Sequence, residues 1–131
     1  MKIRSDFVTN SSSVSYILFM NESFVKERLE SWGTEGSSSE EYQVCKYIYE
    51  KIREEGTVVC LDNRELIYYS LKFDTDETHD RDSISEEFSE MSESDKIAYI
   101  RGEYILSMKL NHLTGRYNLN MGLGIIQVET Y

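Results

Sequence analysis

Proline is absent from this 131-residue chain, and glycine occurs only seven times. Such scarcity excludes a proline-rich tail and a long flexible linker. Cysteine occurs twice, as Cys45 and Cys60. Two thiols make neither a disulfide framework nor a CxxC pair, so both read as buried reduced side chains among apolar neighbours. Long apolar runs are missing too: none approaches the roughly 18 residues that a membrane span needs. The start, Met1-Lys2-Ile3-Arg4-Ser5-Asp6, is not followed by the apolar core of a secretory signal. The expectation is a cytoplasmic protein without a membrane partner. Cations are also scarce, with 14 Lys and Arg against 24 Asp and Glu and a net charge of −10. Phosphate contacts need clustered Lys and Arg, so direct nucleic-acid binding is not expected, and a basic protein is the better-matched partner.

The apolar fraction of 40% suffices for one core. Ile3, Phe7 and Val8 suggest a first strand, and Val14-Ser15-Tyr16-Ile17-Leu18-Phe19-Met20 a central one, since β-branched and aromatic residues fit a pleated surface. Asn21 reads as a helix N-cap, with Gly33 where a helix would stop. Ser38-x-x-Glu41 forms a capping box ahead of Cys45, Ile48, Tyr49 and Ile52, which recur at helical spacing up to Gly56. Residues 57–61 and 65–73 read as strands around an Asp62-Asn63 turn. Ser83-x-x-Glu86 predicts a helix buried along Ile84, Phe88 and Met91, and Ser94 a further short helix ending at Gly102. Alternation at Tyr104, Leu106, Met108 and Leu110, and again at Tyr117, Leu119 and Met121, predicts a hairpin across Thr114-Gly115. Gly122-Leu123-Gly124 breaks it before a last strand at 125–128. Grouped strands and grouped helices predict a single α+β domain over residues 1–131, mostly antiparallel sheet with two to four helices and an acidic loop at 74–83.

Catalytic patterns are few. His79 and His112 are the only histidines and both fall in predicted loops. A small enzyme of unknown reaction using either of them is a second alternative to the reading given below. Asp76, Thr78, Asp80, Asp82 and Glu87 lie over ligand positions of a calcium-binding loop, but Arg81 stands where that loop requires glycine, so no metal is expected. No cofactor fingerprint is present; Gly122-Leu123-Gly124 is too short for a dinucleotide site.

Charge is concentrated instead. Residues 74–95 hold ten carboxylates (Asp74, Asp76, Glu77, Asp80, Asp82, Glu86, Glu87, Glu90, Glu93 and Asp95) against one cation, Arg81. That segment carries −9, while the remaining 14 acids and 13 bases leave −1 elsewhere. Like charges at this density oppose folding, so a use for them is expected. On a helix after Ser83, Glu86, Glu90 and Glu93 would form one row, able to stand in for a phosphate backbone. Tyr68 and Tyr69 are adjacent on a predicted strand and must face opposite ways, so one of the pair is a candidate interface residue.

The stretch Lys2-Ile3-Arg4-Ser5-Asp6-Phe7-Val8-Thr9-Asn10-Ser11-Ser12-Ser13-Val14-Ser15-Tyr16-Ile17 resembles an N-terminal signature found in small uncharacterised bacterial and phage proteins. Their pattern runs Lys-Ile/Val-Arg-x-x-Phe-Val-Ser/Thr-Asn, then serines, then an aromatic and an aliphatic residue. Val14 interrupts the serine run here, and Tyr16 stands where phenylalanine is usual. The resemblance implies a bacterial or phage setting and no activity; Asn10-Ser11-Ser12-Ser13 itself reads as a turn. Together these features predict a small inhibitor of a basic, nucleic-acid-handling partner such as a nuclease or defence effector: a phage anti-defence protein of the anti-CRISPR kind. An immunity protein or antitoxin of a nuclease toxin is the alternative.

Overall fold

A computed structural model describes residues 13–36, 39–113 and 122–128. The apolar run after the serines is strand β1 (Ser13–Met20). It is central, as expected: the sheet order is β2-β3-β1-β4, and every pairing is antiparallel. Tyr16, Leu18 and Met20 are buried on its inner face, while Phe19 on the outer face is exposed. Asn21 caps α1 (Glu22–Gly36) by accepting the Phe24 N–H at 3.2 Å. This helix does not stop at Gly33. A Cβ there would lie 2.9 Å from the Tyr42 hydroxyl, so the glycine admits Tyr42 rather than ending the helix.

Helix α2 (Glu40–Glu55) is capped by Ser39, whose side chain accepts the Tyr42 N–H, one residue later than the sequence reading of Ser38. Val44, Cys45, Ile48, Tyr49 and Ile52 form its buried stripe. Strands β2 (Thr57–Leu61) and β3 (Arg64–Asp74) form the predicted hairpin. Asp62 and Asn63 both take positive φ, 51° and 62°, as the tight turn between right-twisted strands demands.

The predicted helix after Ser83 does not form. Ser83 is committed backwards: its Oγ accepts the Asp80 N–H at 2.8 Å, and its own N–H goes to Asp80 Oδ1 at 2.9 Å. It therefore caps nothing ahead of it. Phe88 and Met91 are still buried, but from a single 3₁₀ turn, Phe88–Glu90. Helix α3 (Glu93–Tyr99) starts on Ser92, not Ser94, and continues through Gly102 as a π-helical stretch, Ile100–Leu106. Gly102 is required for contact rather than termination: a Cβ on it would meet the His79 carbonyl oxygen at 2.2 Å.

The expected strand at 104–111 is therefore helical. Ile100, Tyr104 and Ile105 are all buried, the wide-turn spacing of i, i+4 and i+5, and two adjacent buried residues contradict a period of two. A 3₁₀ turn, Lys109–His112, follows. Strand β4 (Leu123–Val128) closes the sheet, and the Asn111 side chain exchanges two hydrogen bonds with the Ile125 backbone. The readings at Ile3, Phe7, Val8, Asn10-Ser11-Ser12 and 117–121 lie outside the described residues. The fold is a single α+β domain, with its helices against the inner face of the antiparallel sheet. No described helix is long and apolar enough to cross a membrane.

Candidate functional site

The acidic segment is built from short turns pinned at both ends. Asp74, the last residue of β3, accepts the Ser13 hydroxyl at 2.9 Å across the sheet. A 3₁₀ turn (Thr75–Glu77) follows, closed by the Thr78 hydroxyl on the Thr75 carbonyl. The His79 N–H then donates to the Ala98 carbonyl at 2.9 Å, and its imidazole lies 3.5 Å from Asp95. These contacts tie the loop to α3. Phe88 and Met91 anchor the later part in the core.

This scaffold leaves eight of the ten carboxylates exposed: Asp76, Glu77, Asp80, Asp82, Glu86, Glu87, Glu90 and Glu93. Asp74 and Asp95 are half-buried. The single-helix row expected of Glu86, Glu90 and Glu93 is not present. Glu86 precedes the Phe88–Glu90 turn, Glu90 ends it, and Glu93 is the first residue of α3, where it accepts the Tyr47 hydroxyl. The carboxylates are spread over a turn-built surface instead of a helix face.

Arg81, the one cation of the segment, is turned back against the protein. Its guanidinium donates to Glu40 Oε1 at 2.9 Å, to the Ile84 carbonyl at 2.9 Å and to the Glu86 carbonyl at 2.7 Å. It also lies over the Tyr99 ring, 4.9 Å from the centroid, while the Arg81 N–H goes to Glu103. The other oxygen of Glu40 accepts two tyrosyl hydroxyls, from Tyr99 and Tyr104, each at 2.6 Å. Both tyrosines are 0% exposed. Burial first, and then the hydrogen bond to Glu40, hold both phenols well above their ordinary range. One carboxylate thus joins the start of α2, the acidic loop and the α3 region. Glu40 was invisible to sequence reasoning because its partners lie 41 to 64 residues away. The available signal was Arg81, a lone cation among ten acids.

Tyr68 and Tyr69 do take opposite faces. Tyr68 is exposed on the outer face of the sheet, paired across from Phe19. Tyr69 is half-buried on the inner face, where its hydroxyl reaches Glu55 at 3.4 Å. Cys45 is buried as expected, and burial pushes its thiol up to about 12, assisted by the Glu41 charge. Cys60 is exposed, contrary to expectation, because edge strand β2 is covered only at its middle residue, Val59. His112 is exposed at the end of its 3₁₀ turn. Among the described residues, no three His, Cys, Asp or Glu side chains are grouped to hold a metal ion.

No protein-family model, no curated protein and no solved structure matches the chain.

Proposed function

We propose that this chain is a small acidic interaction protein that inhibits a basic, nucleic-acid-handling partner, such as a nuclease or a defence effector, in a bacterial or phage setting. Its exposed carboxylates occupy a Lys/Arg groove that otherwise holds phosphates. The observation that carries this reading is that Arg81, the segment's only cation and itself still 41% exposed, spends its guanidinium on Glu40 and on the Ile84 and Glu86 carbonyls, while eight carboxylates around it stay exposed. Nucleic acid presents closely spaced fixed charges, so a competitor gains from holding its own charges in fixed positions before it binds. Attraction between opposite fields also accelerates encounter and makes it salt-dependent. The protein works in the cytoplasm, where Cys60 stays a free thiol.

The test is competition. Purified bacterial nucleases and defence effectors are loaded with labelled duplex DNA, and the wild-type chain is titrated in at about 50 and about 200 mM salt, a range over which phosphate-type contacts weaken steeply. The triple variant Glu86→Lys, Glu87→Lys, Glu90→Lys leaves the folding contacts in place; Glu93 is spared because it holds Tyr47. The expected outcome is that the wild type displaces DNA from at least one partner at low salt, and that the triple variant loses at least tenfold in potency. Equal potency of the two chains would remove the acidic surface from the account.

A further inference from the structure

A cavity of about 190 Å³ lies between α2, the inner face of the sheet and the α3 region, and Tyr47 on its wall also holds Glu93 of the acidic segment. Its walls are aliphatic: Leu18 and Leu71 from the sheet, Ile48 and Ile52 from α2, Ile97 and Ile105 from the α3 side. Its polar lining is Tyr47, Lys51, Glu55, Tyr69 and Arg101. Four of these five already have partners. Lys51 pairs with Glu55 at 3.2 Å, Tyr69 donates to Glu55, and Tyr47 donates to Glu93.

Arg101 differs. Its Nε is fully buried and has no hydrogen-bond partner. Its guanidinium rests over the Phe73 ring, 5.2 Å from the centroid, and Arg101 forms no ion pair among the described residues. The Nε is sealed from the cavity as well as from partners, so only the outer nitrogens of this always-charged group can meet a ligand there. In a protein of net charge −10, this cavity holds two cations against one carboxylate.

We propose that the cavity binds a small aliphatic monocarboxylate, its hydrocarbon body among the leucines and isoleucines and its carboxylate on Arg101. Planar two-point recognition by guanidinium suits a carboxylate. Glu55 beside the cations disfavours a dianion such as a phosphate monoester. The volume is below the roughly 300 Å³ at which drug-sized sites begin, so the occupant is a short chain rather than a long lipid. The site borders the acidic segment at Tyr47 and Glu93, but its test needs only the chain and a small ligand and does not depend on the proposed partner.

The probe is octanoate, titrated into the full-length chain and followed by calorimetry and by thermal shift. Octylamine and octyl phosphate serve as charge controls. Octanoate is expected to bind with a Kd of roughly 0.1–1 mM, a fair yield for ten non-hydrogen atoms, and to raise the melting temperature. Octylamine should not bind, and octyl phosphate should bind at least tenfold more weakly. Arg101→Gln should lose at least tenfold, and Arg101→Lys, which keeps the charge without the fork, should fall between the two. Arg101→Lys also covers the case in which the glutamine variant fails to fold. Absence of saturable octanoate binding up to 10 mM (roughly ten times the weakest Kd expected), equal binding of octylamine, or unchanged affinity in both variants would each overturn the proposal.

Discussion

Replacing Glu40 with alanine is expected to lower the unfolding free energy by about 3 kcal/mol or more, moving the urea midpoint down by about 2 M for a chain of this size. The magnitude follows from what is left behind. Tyr99 and Tyr104 are completely buried, and both hydroxyls end on one carboxylate oxygen. Removing the acceptor strands two buried donors at about 1–3 kcal/mol each, whereas removing one donor costs only about 1 kcal/mol because its partner keeps other contacts. Tyr99→Phe and Tyr104→Phe should therefore each be mild. Arg81 adds little to this loss, since its ion pair with Glu40 is partly exposed. Urea titrations of the three variants check the asymmetry. A Glu40→Ala loss below about 1 kcal/mol would mean that solvent or a neighbour satisfies the tyrosines.

Stability should also collapse in alkali. Tyr99, Tyr104 and Tyr47 hold their protons above the usual phenol range of about 10, because burial and a bonded carboxylate both oppose the charged form. In the unfolded chain these phenols ionise near 10. Folding therefore retains its full benefit below pH 10 and loses it as pH rises beyond, by about 1.4 kcal/mol per pH unit for each such tyrosine. Tyr99 and Tyr104 alone are thus enough to erode a large part of an ordinary domain's stability between pH 10 and 12. Absorbance at 295 nm should rise in two stages, the second coinciding with loss of the far-ultraviolet circular dichroism. The double variant Tyr99→Phe, Tyr104→Phe should show a shallower dependence of stability on pH above 10. A single-stage titration with unchanged dichroism would contradict this origin of the shifts.

Local chemistry made much of the fold readable. Val14 to Met20 alternate inward and outward with β-branched and aromatic residues, and they form the central strand. Cys45, Ile48, Tyr49 and Ile52 gave α2 its buried stripe, and Asp62-Asn63 its hairpin. The errors arose where a residue serves a distant partner. Gly33 and Gly102 read as helix stops, but they make room for Tyr42 and for the His79 carbonyl. Ser83 read as a cap, but it closes a turn on Asp80. Tyr104 to Leu110 read as a strand because every second residue is apolar, yet Tyr104 and Ile105 are both buried in a π-helical stretch. Charge counting located the acidic segment. It gave no hint that Glu40, a carboxylate outside the segment, would hold Arg81.

If the carboxylates act as a fixed array and not merely as net charge, Arg81→Ala separates the two. The substitution makes residues 74–95 more acidic by one charge and removes the bonds to Glu40 and to the Ile84 and Glu86 carbonyls. Affinity of this variant is to be measured, at low salt, for whichever partner the wild type displaces from DNA, alongside amide exchange over residues 78–92. A fixed array predicts loss of exchange protection in the loop and binding weaker by about tenfold, the equivalent of about 1.4 kcal/mol spent on ordering. Binding as tight as wild type, or tighter, would contradict the account and leave only bulk charge.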